Sequence, residues 1–129
     1  MKAKAKVKFI SVHPVLAVKN VIQSLGFYVN KLGFKVAFAD HKTNPKYVGI
    51  KRGLVEIHLQ QHHDASEWEH TIERPMLRFL VLSTENLFEE YKAKGIFHAQ
   101  TSIKKTTWNT KEFAFYDLDK NGLTFYENL

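Results

Sequence analysis

Asn20-Val21-Ile22-Gln23-Ser24-Leu25-Gly26-Phe27-Tyr28-Val29-Asn30-Lys31-Leu32-Gly33-Phe34 carries a helix together with both of its end signals. Asn20 is a favoured N-cap, and Gln23 stands three residues on, in capping-box position. Val21, Leu25, Tyr28, Val29 and Leu32 then recur at helical spacing as one apolar stripe. Gly33 follows as a natural C-cap.

Strands flank this helix on both sides. Residues 7–13 read as a strand closed by Pro14, which has no backbone donor. Residues 34–40 alternate, and residues 47–51 and 54–59 are strand-like runs separated by the tight-turn pair Arg52-Gly53. The stretch 60–75 is polar and without period, which predicts a loop long enough to suggest function. The pattern then starts again. Residues 76–82 form an apolar strand, and Thr84 is placed to cap a second helix with Glu85 in its first turn. Leu87, Phe88 and Tyr91 make that helix's stripe, and Gly95 ends it. Further strands are predicted at 96–103, 112–117 and 123–126, the last two joined by Asn121-Gly122 as a hairpin turn. The chain thus reads strand, helix, three strands, twice: one domain over 1–129 with pseudo-repeats at about 7–60 and 76–129. One half cannot cover its own sheet face, and two halves can.

Composition narrows the function classes. The chain has 129 residues with no cysteine, so disulfides, thiol nucleophiles and thiolate ligands are excluded. No apolar run reaches the roughly 20 residues of a membrane span, and the N-terminal lysines lack the apolar segment of a secretory signal. A cytoplasmic protein is expected. Lys2, Lys4, Lys6 and Lys8 supply four of the +6 formal charges, leaving +2 for the rest of the chain. They alternate with Ala3, Ala5, Val7 and Phe9, so they share one face of an extended segment. Such lysines suit a solvated edge strand. The alternative use, an arm for nucleic acid, lacks the basic body that nucleic-acid binding calls for.

His13-Pro14-Val15-Leu16-Ala17-Val18, with Gly26-Phe27-Tyr28 and Leu32-Gly33-Phe34, resembles the opening of proteins of the glyoxalase/bleomycin resistance protein/dioxygenase (vicinal oxygen chelate) superfamily. Arg78-Phe79-Leu80-Val81 fits the strand that opens their second repeat. Trp108, Glu112-Phe113-Ala114-Phe115-Tyr116-Asp117 and Asn121-Gly122-Leu123-Thr124-Phe125 resemble the closing segment of the bleomycin resistance branch. The resemblance implies an α+β fold of two βαβββ modules, each a curved half-barrel. It also implies a homodimer that exchanges its N-terminal strand about a hinge at Pro14. Drug is then held in crevices at the dimer interface.

Enzymes of this superfamily hold one divalent metal with a side chain from each of four strands. Carried over singly, these positions fall on His13, Glu56, on or near Met76, and on Thr124. A thioether and a neutral hydroxyl are poor ligands for a hard cation, and a catalytic site needs about three protein ligands plus an open position. His58 shares a strand face with Glu56 and offers a third donor. His13 and Glu56 are therefore expected to be vestigial, with no metal or other cofactor. A metal-dependent lyase, dioxygenase or transferase with altered ligands is the competing expectation. His62, His63 and His70 have no ligand spacing and read as surface histidines.

The resemblance points instead to a binding protein. Bleomycin carries a flat bithiazole and a cationic tail, which stacking surfaces and carboxylates suit. The branch's tryptophan falls on Trp108 and its second-strand aromatics on Phe38 and Tyr47. Glu56, His58 and Phe115 complete the expected ligand surface. In the loop, Asp64, Glu67, Glu69 and Glu73 stand against Arg74 alone, with Trp68 among them, which suits a flat cation or, alternatively, a solvated loop with Trp68 packed on a partner. Asn109 stands where the family has glycine, and Leu118 and Lys120 where it has proline and glycine. The expected partners are a small molecule and a second copy of the chain, without nucleic acid or membrane.

Overall fold

The computed structural model describes residues 5–62, 64, 66, 68 and 74–129. Two four-stranded mixed sheets, neither closed, repeat one topology. The first holds β1 (Val15–Val18), β4 (Val55–Gln61), β3 (Tyr47–Arg52) and β2 (Lys35–Ala39), in that order. The second holds β5 (Met76–Leu80), β8 (Gly122–Asn128), β7 (Thr110–Tyr116) and β6 (Lys104–Lys105). In each, the opening strand pairs in parallel with the fourth, and every other pairing is antiparallel. This is the expected pair of modules. Among the described residues no helix is long and apolar enough to cross a membrane.

The first helix starts where its cap predicts. The Asn20 side chain accepts from the Gln23 backbone N–H at 3.1 Å, and α1 runs Val21–Leu25. It continues as a π-helical segment, Gly26–Lys31. Gly33 ends it at φ +81°, and a Cβ there would also stand 2.9 Å from the Arg52 guanidinium, which donates to the Leu32 carbonyl at 2.8 Å. Only glycine meets both demands.

The second helix, α2 (Thr84–Ala93), departs from its predicted cap. Ser83, not Thr84, precedes it, with φ +61° and no side-chain cap bond. The first-turn donor is satisfied from another strand: Glu127 of β8 accepts from the Thr84 N–H at 3.0 Å.

Three other expectations are corrected. Residues 7–13 are not a strand: β1 begins at Val15, and Val7, Phe9, Ile10 and Val12 are 82–96% exposed. The alternating pattern is there, but no strand among the described residues pairs with them. Residues 96–103 are irregular, and Phe97 packs its ring 4.8 Å from Phe88. Only Lys104–Lys105 pairs with β7. The last hairpin turns through Leu118, Asp119 and Lys120, with Lys120 at φ +66°, and Asn121 is buried beneath it.

The core lies between the inner faces of the sheets and the helices. Leu16, Val18, Val48, Ile50, Ile57 and Leu59 face inward from the first sheet, and Phe79, Phe113, Phe115, Leu123 and Phe125 from the second. Phe79 and Phe125 stack at 4.7 Å. Buried polar contacts tie the modules together. Tyr28 donates to Asp117 at 2.7 Å, and Asn121 donates to Asp117 at 3.0 Å and to the Ala17 carbonyl at 3.1 Å.

Candidate functional site: an aromatic and histidine face on the first sheet

Strand alternation that buries Ile57 and Leu59 turns Glu56 and His58 to the opposite face. The register lines up one row across the sheet: Phe38 on β2, Gly49 on β3, His58 on β4 and Val15 on β1. Gly49 makes the row possible. A Cβ at that position would stand 2.2 Å from Phe38 Cε1. With no side chain between them, Phe38 and His58 meet edge-to-face at 5.0 Å. Phe38 also lies nearly parallel to Tyr47 at 6.1 Å. His13, just before β1, stacks on His58 at 5.0 Å.

Polar atoms in this group satisfy one another. Glu56 Oε2 lies 2.8 Å from His58 Nε2, and His58 Nδ1 lies 2.8 Å from the Tyr47 hydroxyl. His13 Nε2 lies 3.5 Å from Glu56 Oε2 and 3.1 Å from Ser11 Oγ. The hydrogen bond from His58 holds the Glu56 carboxyl below its ordinary range, helped by the charges of His13, His58 and Lys51 and opposed by burial. Phe38, Tyr47, Glu56 and His58 are therefore brought together.

The metal expectation can be tested on the donors. His13, Glu56 and His58 offer three donor atoms within 4.8 Å of one another. Both nitrogens of His58 are already committed to hydrogen bonds. The second module supplies no matching half. Val15 pairs with His58, which sets His13 across from Glu56, and the same relation in the second sheet sets Arg78 across from Thr124. Met76 stands across from Gly122 in the same register. Arg78 pairs with Glu112 at 2.9 and 3.4 Å and lies over the Tyr126 ring at 4.4 Å. Thr124 donates to the Met76 sulfur at 3.1 Å. A guanidinium, a thioether and a hydroxyl cannot complete the coordination of a divalent cation. The residues do not fit the four-donor metal centre.

Trp108 is 62% exposed on the turn before β7. Asn109 adopts φ +64°, the backbone demand that glycine usually meets, so the turn survives the substitution. A cavity of about 440 Å³ opens beside Trp108, with Gln100, Thr101, Thr106 and Glu112 in its wall. Glu112 accepts from Arg78 and from Thr110 at 2.8 Å, and the Arg78 bond is the main reason its carboxyl is held low. Among the described residues no ring contact joins Trp108 to Phe38, which lies on the other sheet.

Two expected site residues sit elsewhere. Phe115 is 6% exposed and packs in the core beside Tyr91, Phe97 and Phe125. The parity of β7 turns Glu112, Ala114 and Tyr116 outward instead. Trp68 is no open platform for a cation. Its ring already carries Arg74 at 4.4 Å and Lys19 at 5.4 Å, and its indole N–H donates to the His62 carbonyl. Asp64 bonds the Ser66 N–H and hydroxyl. Lys2, Lys4, His63, Glu67, Glu69, His70 and Glu73 lie outside the described residues.

Sequence reasoning missed an apolar groove of about 580 Å³ between the β3–β4 turn and the β5–α2 connection. Leu54, Leu80 and Leu82 in its wall are 103%, 58% and 92% exposed. The signal was an apolar residue directly after Gly53, where a turn is normally polar.

A family model described as Glyoxalase/Bleomycin resistance protein/Dioxygenase superfamily matches residues 10–125. The bleomycin resistance protein of Geobacillus stearothermophilus is 27% identical, over 90% of this chain and 95% of its own. The bleomycin-binding protein of Streptomyces verticillus, crystallised with copper(II)-bleomycin, superposes with TM-score 0.71 at 24% identity, over 93% of this chain and 97% of its own. The bleomycin resistance determinant encoded on transposon Tn5 superposes with TM-score 0.76 at 17% identity, over 93% and 98%. On these matches and this topology, the chain belongs to the glyoxalase/bleomycin resistance protein/dioxygenase superfamily.

Proposed function

We propose that this protein is a non-catalytic binder of a flat, amphipathic or cationic small molecule of the bleomycin kind. The observation that carries this reading is the row Phe38–Gly49–His58. A glycine there clears space for an aromatic ring on a sheet face that the core does not use. Phe38 and Trp108 are the stacking surfaces, Tyr47 is the polar contact with His58 hydrogen-bonded behind it, and Glu56 is the anion that attracts a positive group. Each stacked pair contributes about 0.5–1.5 kcal/mol beyond area burial. Donors unfit for a metal centre, together with the name of the Geobacillus relative, support binding over catalysis.

On this reading the working unit is a homodimer. Phe38 and Trp108 stand on different sheets, so a second copy supplies the opposite wall of each crevice. Val7, Phe9, Ile10 and Val12 then find cover on the partner, with the chain leaving at Pro14. Leu54, Leu80 and Leu82 are exposed apolar surface of the same kind. Titration with metal-free bleomycin, followed by tryptophan fluorescence, tests the ligand. Light scattering of the full chain and of a chain lacking residues 1–12 tests the dimer. A monomer in both would remove the shared crevice.

A further inference from the structure

We propose that Glu56 and His58 fix the direction of the Tyr47 hydroxyl, so that Tyr47 Oη meets a ligand only as a hydrogen-bond acceptor and selects compounds presenting an N–H beside their ring. This rests on the binding reading above and names the chemistry that the same face selects.

The argument starts at Glu56. An ionised carboxylate only accepts hydrogen bonds. Glu56 Oε2 lies 2.8 Å from His58 Nε2, so that nitrogen must carry the proton. A neutral imidazole has one N–H, so Nδ1 is left as a bare lone pair. Nδ1 lies 2.8 Å from the Tyr47 hydroxyl, which therefore donates inward to it. A phenol has one proton. With that proton committed, the outward side of Oη offers only lone pairs.

The packing around His58 holds its ring in place. Phe38 closes one side edge-on and His13 stacks on another, so the ring cannot turn over freely. The His58 N–H of the main chain is held by the Pro14 carbonyl at 2.9 Å, which fixes the strand beneath. Lys51 faces Glu56 across β3 and β4 and favours the carboxylate. Phe38, nearly parallel to Tyr47 at 6.1 Å, provides a surface for a ring whose substituent reaches Oη. A primary amide or amine on a flat aromatic group satisfies both. An ether or ester of the same size leaves Oη without a partner, which is costly in a closed site. In this selection of an N–H donor Glu56 and His58 act through Tyr47 and are positioning residues, apart from the long-range attraction of the Glu56 charge.

Two measurements separate this proposal from the binding reading. The first uses no ligand. Long-range proton–nitrogen correlation spectra of the full, labelled chain at neutral pH should show His58 protonated at Nε2 and bare at Nδ1. In Glu56→Gln the amide can either accept from an Nε2–H or donate to a bare Nε2, so the single tautomer should give way to a mixture with the Nδ1-protonated form. An Nδ1-protonated or doubly protonated ring in the unmodified protein, or no change in Glu56→Gln, overturns the proposal. A merely structural role for Glu56 would not move this signature. The second uses 1-naphthaleneacetamide and methyl 1-naphthylacetate, an amide and an ester of nearly equal size. The amide should bind about fivefold tighter or better, and Tyr47→Phe should erase the difference. Equal binding by the two, or binding by neither, overturns the assignment of ligand class. Bleomycin titration reports separately on the binding reading.

Discussion

Phe38 occupies the space that any side chain at Gly49 would need, its Cε1 2.2 Å from where a Cβ would stand. The site's aromatic floor therefore depends on a residue that contributes no atoms to it. Gly49→Ala should push the Phe38 ring off the sheet. Because the ring is 43% exposed, it can move outward, and stability should change by less than about 1 kcal/mol. Ligand affinity should fall as far as in Phe38→Ala, and the double variant should fall no further. Isothermal titration of the three variants, beside urea unfolding, checks this.

Arg78 standing across from Thr124 makes a second prediction, about metal. Incubated with nickel, zinc or manganese and then desalted, the protein should retain less than one ion per chain. The double variant Arg78→His with Thr124→Glu places donors at these two facing positions and should raise retention toward one ion. Elemental analysis reads both. Full occupancy in the unmodified protein would contradict the donor argument.

The contact between Tyr28 and Asp117 joins the first helix to the last hairpin. Asp117 also accepts from Asn121 at 2.9 and 3.0 Å. Tyr28→Phe removes one bond and leaves the carboxylate partly satisfied, costing about 1–2 kcal/mol. Asp117→Ala strands the Tyr28 hydroxyl and the Asn121 amide together and should cost about 3 kcal/mol or more. Urea midpoints at constant slope measure both.

Glu127 caps α2 from another strand, and its bonds to Thr84 hold its carboxyl below the ordinary value of 4.5. A depressed carboxyl contributes stability that is present above its unfolded pKa and is lost as pH falls through its folded one. The contribution should thus be whole near neutrality and fade below about pH 4.5. Glu127→Gln should lower the melting temperature at pH 7 and lose less than the parent on going to pH 3.5. Equal acid sensitivity in the two proteins would remove Glu127 as a cap.

Much of this was legible in the sequence because the signals are local. Asn20 and Gly33 mark the first helix by side-chain and backbone demands that neighbours do not alter. The pairing of Arg52-Gly53 with its strands is likewise local. What was not legible depends on register or on partners. Phe115 was placed at the ligand surface from a motif, and one step in strand parity sends it to the core. Residues 7–13 carry a strand pattern, but no strand among the described residues pairs with them. Trp68 stood among carboxylates in sequence, yet among the described residues Lys19 and Arg74, one of them 49 positions away, lie over its ring.

The most direct test of the binding account is titration of the full chain with metal-free bleomycin, followed by tryptophan fluorescence in the parent and in Trp108→Phe. The account predicts saturable quenching at one equivalent per chain in the parent, and its loss in Trp108→Phe while Trp68 still emits. No quenching in the parent up to about 100 μM, a range in which stacking and charge together should register, would contradict it.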